Sequence, residues 1–430
     1  MGLRRCIFLL READHVVICA MPASNNLQIE TEGFAESGLE RISSVLRADT
    51  AAGAIPGAVA LVMRRGRLAY CDAFGYADRQ SLRPMQRECV FRIASMTKPV
   101  TTVAALMLME EGRLVLADPV ARYLPELQNL QVGVEHSDVS GKRELTLERP
   151  KRPMTVHDLM RHTAGFTYGQ FGDSLIQRAY RKAQLIDNQQ TNAEMVTKLA
   201  QLPLAFQPGT TFEYGMSTDV LGRVVEVVSG MELDRFFADR ITGPLGMPHT
   251  GFGIPPEQYA LLAEPQREAA SSAVPAVVPY DPARPAKWFS GGGGLLSTAA
   301  DYARFAQMLL NEGELDGIRL LSRKSVHLMT RNHLPPNLDY GPRTADLGIA
   351  APLPALGLGY GLGVGVRHCA GLVSVPGSVG DYYWGGALGP YFWVDPAEKL
   401  VVVFMLQELN VQRRTRYRSL LRALVYQALL

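Results

Sequence analysis

Residues 91–112 read FRIASMTKPVTTVAALMLMEEG, and the rest of the chain is organised around them. The stretch reads as a short approach strand, a sharp entry into a helix, and a stop at Gly112. Pro99 falls in the first helical turn, where most backbone N–H groups have no helical partner, so a proline costs little there. Val100, Val103, Ala104, Leu106, Met107 and Leu108 make the helix apolar nearly all round, which predicts burial in the middle of a domain. Ser95 and Lys98 then stand one turn apart, on one face, at the mouth of that helix.

That placement carries chemistry. A serine hydroxyl is a weak nucleophile until a base takes its proton. A lysine amine is a base only when neutral, and desolvation favours the neutral form. The positive helix N-terminus disfavours a second positive charge on Lys98 and steadies a developing anion. The backbone N–H of Ser95 is a ready oxyanion donor. Four residues with two fixed are more often a helix cap and a surface lysine. The buried helix behind them, and two later motifs, favour the catalytic reading.

With 430 residues the chain can bury a large core, as one domain or two subdomains. Its formal charge is +2 and it has no basic run, so neither nucleic acid nor an anionic membrane is an expected partner. Cys6, Cys19, Cys71, Cys89 and Cys369 are odd in number and scattered. No C-x-x-C spacing points to zinc or to a disulfide framework, and a reducing compartment fits. The N-terminus starts like a signal peptide, but Arg11, Glu12, Asp14 and His15 cut its apolar run short. No later stretch is long enough to span a membrane. The expectation is a cytoplasmic enzyme with a leader over residues 1–33, with a periplasmic enzyme as the alternative and Met21 as a second candidate start.

Residues 34–48 read as an amphipathic helix. A hairpin follows, with strands Val59–Met63 and Leu68–Phe74 and a turn at Arg64–Gly66. Residues 116 to about 250 offer no convincing strand pair. Helical patterns fall instead at 155–163, 174–185, 191–201, 216–229 and 231–239, and residues 252–287 read as a long proline- and alanine-rich loop. Gly291–Thr298, GGGGLLST, lacks the G-K-[ST] of a phosphate cradle. It reads as a strand with close backbone approach, then a helix capped by Thr298 with Asp301 three residues on. Residues 333–358 form another long loop. Strand candidates follow at 360–367, 371–376, Tyr382–Ala387 with Tyr391–Val394, and Leu400–Leu406, before a closing helix with an apolar stripe. The fold class is α/β (α+β): an antiparallel sheet flanked by helices, plus an inserted, mostly helical subdomain. The α/β subdomain takes residues 34–115 with 288–430, and the helical one takes 116–287.

Two further motifs stand out. Tyr214, in Phe212–Ser217, sits at the junction of a turn and a helix, where a phenol can both donate and accept a proton. Alone, it would be a half-buried structural tyrosine. Trp384-Gly385-Gly386, followed by Ala387, strips side chains from a strand, so that a substrate can lie along the backbone or the sheet can twist. No G-x-S-x-G occurs, which excludes an α/β-hydrolase elbow. His157 and His162 lack H-E-x-x-H geometry; they and His368 read as structural, His162 as a buttress to a turn, and neither a metal nor a cofactor is expected.

In this order and spacing, Ser95–Lys98, Tyr214 and Trp384–Gly386 resemble the motifs of the serine β-lactamase and penicillin-binding-protein superfamily, most closely the family VIII carboxylesterases. Arg161–Gly165, Gln207-Pro208-Gly209 and Gly293–Thr298 resemble family phrases too, and the resemblance runs from about residue 35 to 425. It implies Ser95 as nucleophile, Lys98 as its base, Tyr214 as proton shuttle to the leaving group, and the N–H groups of Ser95 and Ala387 as oxyanion hole. Which of Lys98 and Tyr214 takes the first proton stays open. Two departures bear on substrate. Trp384-Gly385-Gly386 replaces the K-T-G of β-lactamases and peptidases, and Met216 replaces an asparagine. Loss of that lysine disfavours β-lactams and favours neutral esters. The resemblance therefore implies a carboxylesterase for small ester substrates working through an acyl-enzyme, with acyl transfer to an alcohol, or weak β-lactamase or D,D-peptidase activity, as alternatives.

Overall fold

The computed structural model describes residues 32–265 and 286–430. Nearly all of the expected leader, Met21, and the middle of the proline- and alanine-rich loop lie outside them. The described chain starts with α1 (Glu36–Ala51), β1 (Gly57–Arg64), β2 (Arg67–Asp78), β3 (Arg83–Pro84), β4 (Phe91–Arg92) and α2 (Thr97–Glu110). It continues through β5 (Val132–Ser137), β6 (Arg143–Glu148), α3 (Val156–Met160), α4 (Leu175–Lys182), α5 (Asn192–Leu199), β7 (Thr211–Phe212), α6 (Ser217–Ser229) and α7 (Leu233–Phe237). After the undescribed stretch come β8 (Leu296–Ser297), α8 (Ala299–Leu310), β9 (Glu314–Leu315), β10 (Ile318–Arg319), α9 (Arg323–Met329) and β11 (Asp339–Tyr340). The chain closes with β12 (Leu358–Tyr360), β13 (Gly365–Arg367), β14 (Tyr382–Gly385), β15 (Tyr391–Asp395), β16 (Leu400–Leu406) and α10 (Val411–Tyr426).

One eight-stranded antiparallel sheet, in the order β12-β13-β14-β15-β16-β1-β2-β3, joins the two ends of the chain. The seam is β1 against β16, in register from Ala58↔Leu406 to Arg64↔Leu400. Every residue of β16 (LVVVFML) is buried, so both faces of the strand are covered. Helix α8 packs on β15, β16 and β1, while α1 packs on β2 and against α10. The sheet assembled from both chain ends, with terminal helices on it, is as the sequence predicts.

Helix α2 has all of Thr97–Leu108 buried and packs against α6. Its apolar circumference leaves no face for water, which places its N-terminus at the heart of the molecule. Thr298 caps α8 through the Asp301 N–H, as its sequence predicts.

Three expectations are corrected. Residues 132–148 form a hairpin, β5 paired with β6. Strand β6 (RELTLE) is almost wholly exposed and polar, so it carries no alternation to read. The turn was the readable signal: Asp138 accepts from the N–H groups of Ser140 and Lys142, and Gly141 takes φ +81°. Residues 358–367 are two short strands turned at Gly363, φ +76°, rather than one. Residues 371–376 form no strand; the carbonyls of Val375 and Pro376 accept from Arg367 instead.

Candidate active site

The approach to α2 is strained. Ala94 has φ +45°, a left-handed conformation that costs a residue with a Cβ, immediately before Ser95. Ser95 follows in a single 3-10 turn that runs straight into α2. It is half-buried and lines a cavity of about 790 Å³, within the range of small-molecule sites.

Lys98, fully buried, donates to three oxygens: Ser95 Oγ at 3.4 Å, Tyr168 Oη at 3.2 Å and the Gly292 carbonyl at 2.7 Å. Its Nζ also lies 4.8 Å from the centroid of the Tyr214 ring. Trp384 Nε1 donates to Tyr214 Oη at 3.4 Å, and the two rings pack with centroids 5.5 Å apart. Ser95, Lys98, Tyr214 and Trp384 are thus brought together, as the sequence predicts. Among the described residues, the N–H groups of Ser95 and Ala387 bond to no acceptor, and both residues line the cavity.

Two members of this network escaped the sequence reading. Tyr168 takes the Lys98 N–H; burial, and then the Asp219 charge, hold its phenol well above its usual range, so it stays protonated. Asp219, on α6, accepts from the Gly292 N–H at 3.0 Å and from Ser290 Oγ. Burial raises its carboxyl, against the pull of Lys98 and these two donors. Asp219 sits in the first turn of α6, where an acid reads as an ordinary response to the helix dipole. Tyr168 follows the R-H-T-A-G phrase by three residues, and nothing in its spacing marks it.

The glycine run 291–294 is a fitting surface for this network. A Cβ on Gly292 would fall 2.3 Å from Asp219 Oδ2, and one on Gly291 would fall 2.8 Å from the Thr218 carbonyl. His162 is fully buried in the left-handed region, φ +56°, and its ring packs on Tyr214 at 4.8 Å. Burial, and then Lys98, hold it well below its usual range, so it is neutral. The Gly215 N–H donates to its Nδ1. It buttresses the turn that carries Tyr214, the role its sequence suggested. His157 bonds to His333 away from the cavity.

The W-G-G glycines line the cavity and also make room for close neighbours. A Cβ on Gly385 would lie 2.7 Å from the Arg418 guanidinium carbon, and one on Gly386 would lie 2.4 Å from the Ile93 carbonyl. They admit a buried arginine on one side and the turn that leads to Ser95 on the other. Trp384 is only 2% exposed and directs its N–H at Tyr214, so it supports the phenol as well as lining the cavity. The wall is also not without cations: Arg414 and Arg418 both reach it.

Comparison with known proteins places the chain in a family. The family model described as Beta-lactamase matches residues 42–427. The uncharacterised protein MT1414 of Mycobacterium tuberculosis is 36% identical, over 83% of this chain and 86% of its own. Esterase EstB of Burkholderia gladioli is 31% identical, over 81% of this chain and 85% of its own. Among solved structures, EstCE1, described as a hydrolase with promiscuous acyltransferase activity, superposes with a TM-score of 0.74 at 29% identity, over 91% of this chain and 99% of its own. The chain belongs to the β-lactamase family, and within that serine-hydrolase superfamily it is of the esterase-like kind.

Proposed function

We propose that the protein is a serine carboxylesterase that hydrolyses short-chain carboxylic esters through an acyl-enzyme on Ser95. The observation that carries this reading is the contact between the buried Lys98 amine and Ser95 Oγ. Once it has given up one proton, Lys98 keeps two N–H donors, enough for the Gly292 carbonyl and Tyr168. Its lone pair then faces Ser95 and takes the hydroxyl proton as Oγ attacks the ester carbonyl. The contact favours Lys98 over Tyr214 as first base. The N–H groups of Ser95 and Ala387 hold the oxyanion, and Tyr214 passes the proton to the departing alcohol. Water repeats the sequence on the acyl-enzyme and releases the acid. No K-T-G lysine is present to grip a β-lactam carboxylate, which keeps simple esters as the preferred substrates.

The test is a panel of p-nitrophenyl acetate, butyrate, octanoate and laurate, assayed in the parent and in Ser95→Ala. The expected result is highest kcat/KM for acetate and butyrate, with no catalysed rate in the variant. Persistent turnover in Ser95→Ala, or a preference for laurate, would refute the proposal. A second reading, acyl transfer to an alcohol, draws support from the solved hydrolase with acyltransferase activity and from a cavity roomy enough for a second substrate. Adding an alcohol during turnover and measuring the ratio of new ester to free acid separates the two.

A further inference from the structure

Arg418 is an unusual cation. It is 7% exposed, on α10, and no carboxylate among the described residues pairs with it. A buried charge without a counter-ion is costly, so its partners need an account. Its Nη2 donates to the Gly386 carbonyl at 2.6 Å and, more weakly, to the Pro390 carbonyl at 3.4 Å. The guanidinium lies 5.6 Å from the Tyr391 ring centroid, and Nε has no partner among the described residues. Burial, and then Arg414, pull its pKa down to about 10, which leaves it charged at neutral pH.

The Gly386 carbonyl and the Ala387 N–H belong to one peptide plane. In a trans peptide these two groups point in opposite directions. A cation gripping the oxygen therefore fixes where the N–H points. It also draws electron density from the amide and makes that N–H a stronger donor. Ala387 lines the cavity beside Ser95, and its N–H has no acceptor among the described residues. The Gly389 N–H adds a second bond to the Gly386 carbonyl at 3.1 Å, so the turn is held from two sides. Gly385 is what lets the guanidinium come this close.

We propose that Arg418 is a positioning residue for the oxyanion hole: it orients and polarises the Gly386–Ala387 peptide so that the Ala387 N–H meets the negative oxygen of the tetrahedral intermediate. This rests on the acyl-enzyme reading at Ser95. The missing counter-charge is then supplied in the transition state, where the oxyanion forms across the peptide from the arginine. Such an interaction is felt in the transition state and hardly at all in ground-state binding.

The experiment compares Arg418→Met, Arg418→Lys and Gly385→Ala with the parent. It measures kcat and KM on p-nitrophenyl butyrate, and inhibition by a trifluoromethyl ketone whose hemiketal oxyanion mimics the intermediate. Removing a whole oxyanion donor costs about 10²–10³ in kcat, so disorienting one in Arg418→Met should cost about 10–100-fold. KM should stay near the parent value, and ketone affinity should fall in parallel with kcat. Arg418→Lys should recover part of both. Gly385→Ala, which pushes the guanidinium away without removing it, should lose both in the same proportion. Parent-like kcat in a folded Arg418→Met or in Gly385→Ala would overturn the proposal. So would a loss of kcat with ketone affinity unchanged, or a loss confined to esters that carry a carboxylate. Phosphonate labelling distinguishes the two levels: no Ser95 adduct in the parent would take down the acyl-enzyme reading and this inference with it. A Ser95 adduct beside parent-like kcat in Arg418→Met would overturn this inference alone.

Discussion

Tyr214 is held by its neighbours more than by its own chain. Trp384 donates to its hydroxyl, His162 packs on one side of its ring, and the Lys98 amine lies over it. The indole is therefore a support for the phenol. A neutral hydrogen bond contributes about 0.5–1.5 kcal/mol, so Trp384→Phe should lower kcat by about two- to twelve-fold. KM for p-nitrophenyl butyrate should hardly move. Steady-state kinetics with butyrate and with an ester of a bulky alcohol check this. A rise in KM for the bulky ester with kcat unchanged would make the indole a wall of the substrate pocket instead. At this scale the sequence was legible where chemistry has a spacing: Ser95 and Lys98 one turn apart, Tyr214 at a turn. It was not legible for Tyr168, Asp219 and Arg418. Each of these reaches the site across a tertiary contact that no local pattern encodes.

The elements were legible where burial imposes a period or a run. Helix α2 and strands β1 and β16 announce themselves as unbroken apolar stretches. The β5–β6 hairpin did not, because an exposed strand has no core face to write into its sequence. Helix α10 shows both sides of this. Of the expected stripe Leu420, Leu421, Leu424, Val425 and Leu429, only Leu421, Leu424 and Val425 are buried, while Arg418 and Arg422 of the same helix are buried too. Arg422 shares Asp381 with Arg367: Nη1 lies 2.8 Å and the Arg367 Nε 3.1 Å from the same carboxylate oxygen. Both guanidinium groups also donate to the Pro376 carbonyl. The cluster ties α10 and the end of β13 to the segment that precedes β14. Asp381→Ala would leave two buried cations without their anion, a loss of about 3–5 kcal/mol. Chemical denaturation of parent and variant measures it. A loss under about 1 kcal/mol, the range of exposed pairs, would mean the cluster is open to water.

At the scale of the whole molecule, the two chain ends close one sheet and the helices between them supply the other wall of the site. Strand β14 and α10, from the C-terminal part, meet the Ala94–Ser95 turn that leads into α2, from the N-terminal part, and α6, from the middle, around one cavity. Three distant stretches of sequence therefore have to fold together before Ser95, Lys98, Tyr214 and the Gly386–Ala387 peptide stand around one cavity, as the proposed mechanism requires. That is why three motifs in order carry more than S-x-x-K alone. It is also why the sequence could not show Arg418 and Ile93 beside the W-G-G glycines: only the assembled sheet shows what fills the space they leave. The central claim is that this assembly makes Ser95, and no other serine, a nucleophile. Treating the protein with a fluorophosphonate and locating the adduct by intact-protein and peptide mass spectrometry tests it most directly. A single adduct on Ser95, formed in step with loss of esterase activity and absent from Lys98→Ala, is the predicted result; an adduct on another residue, or inactivation that leaves Ser95 unmodified, would contradict it.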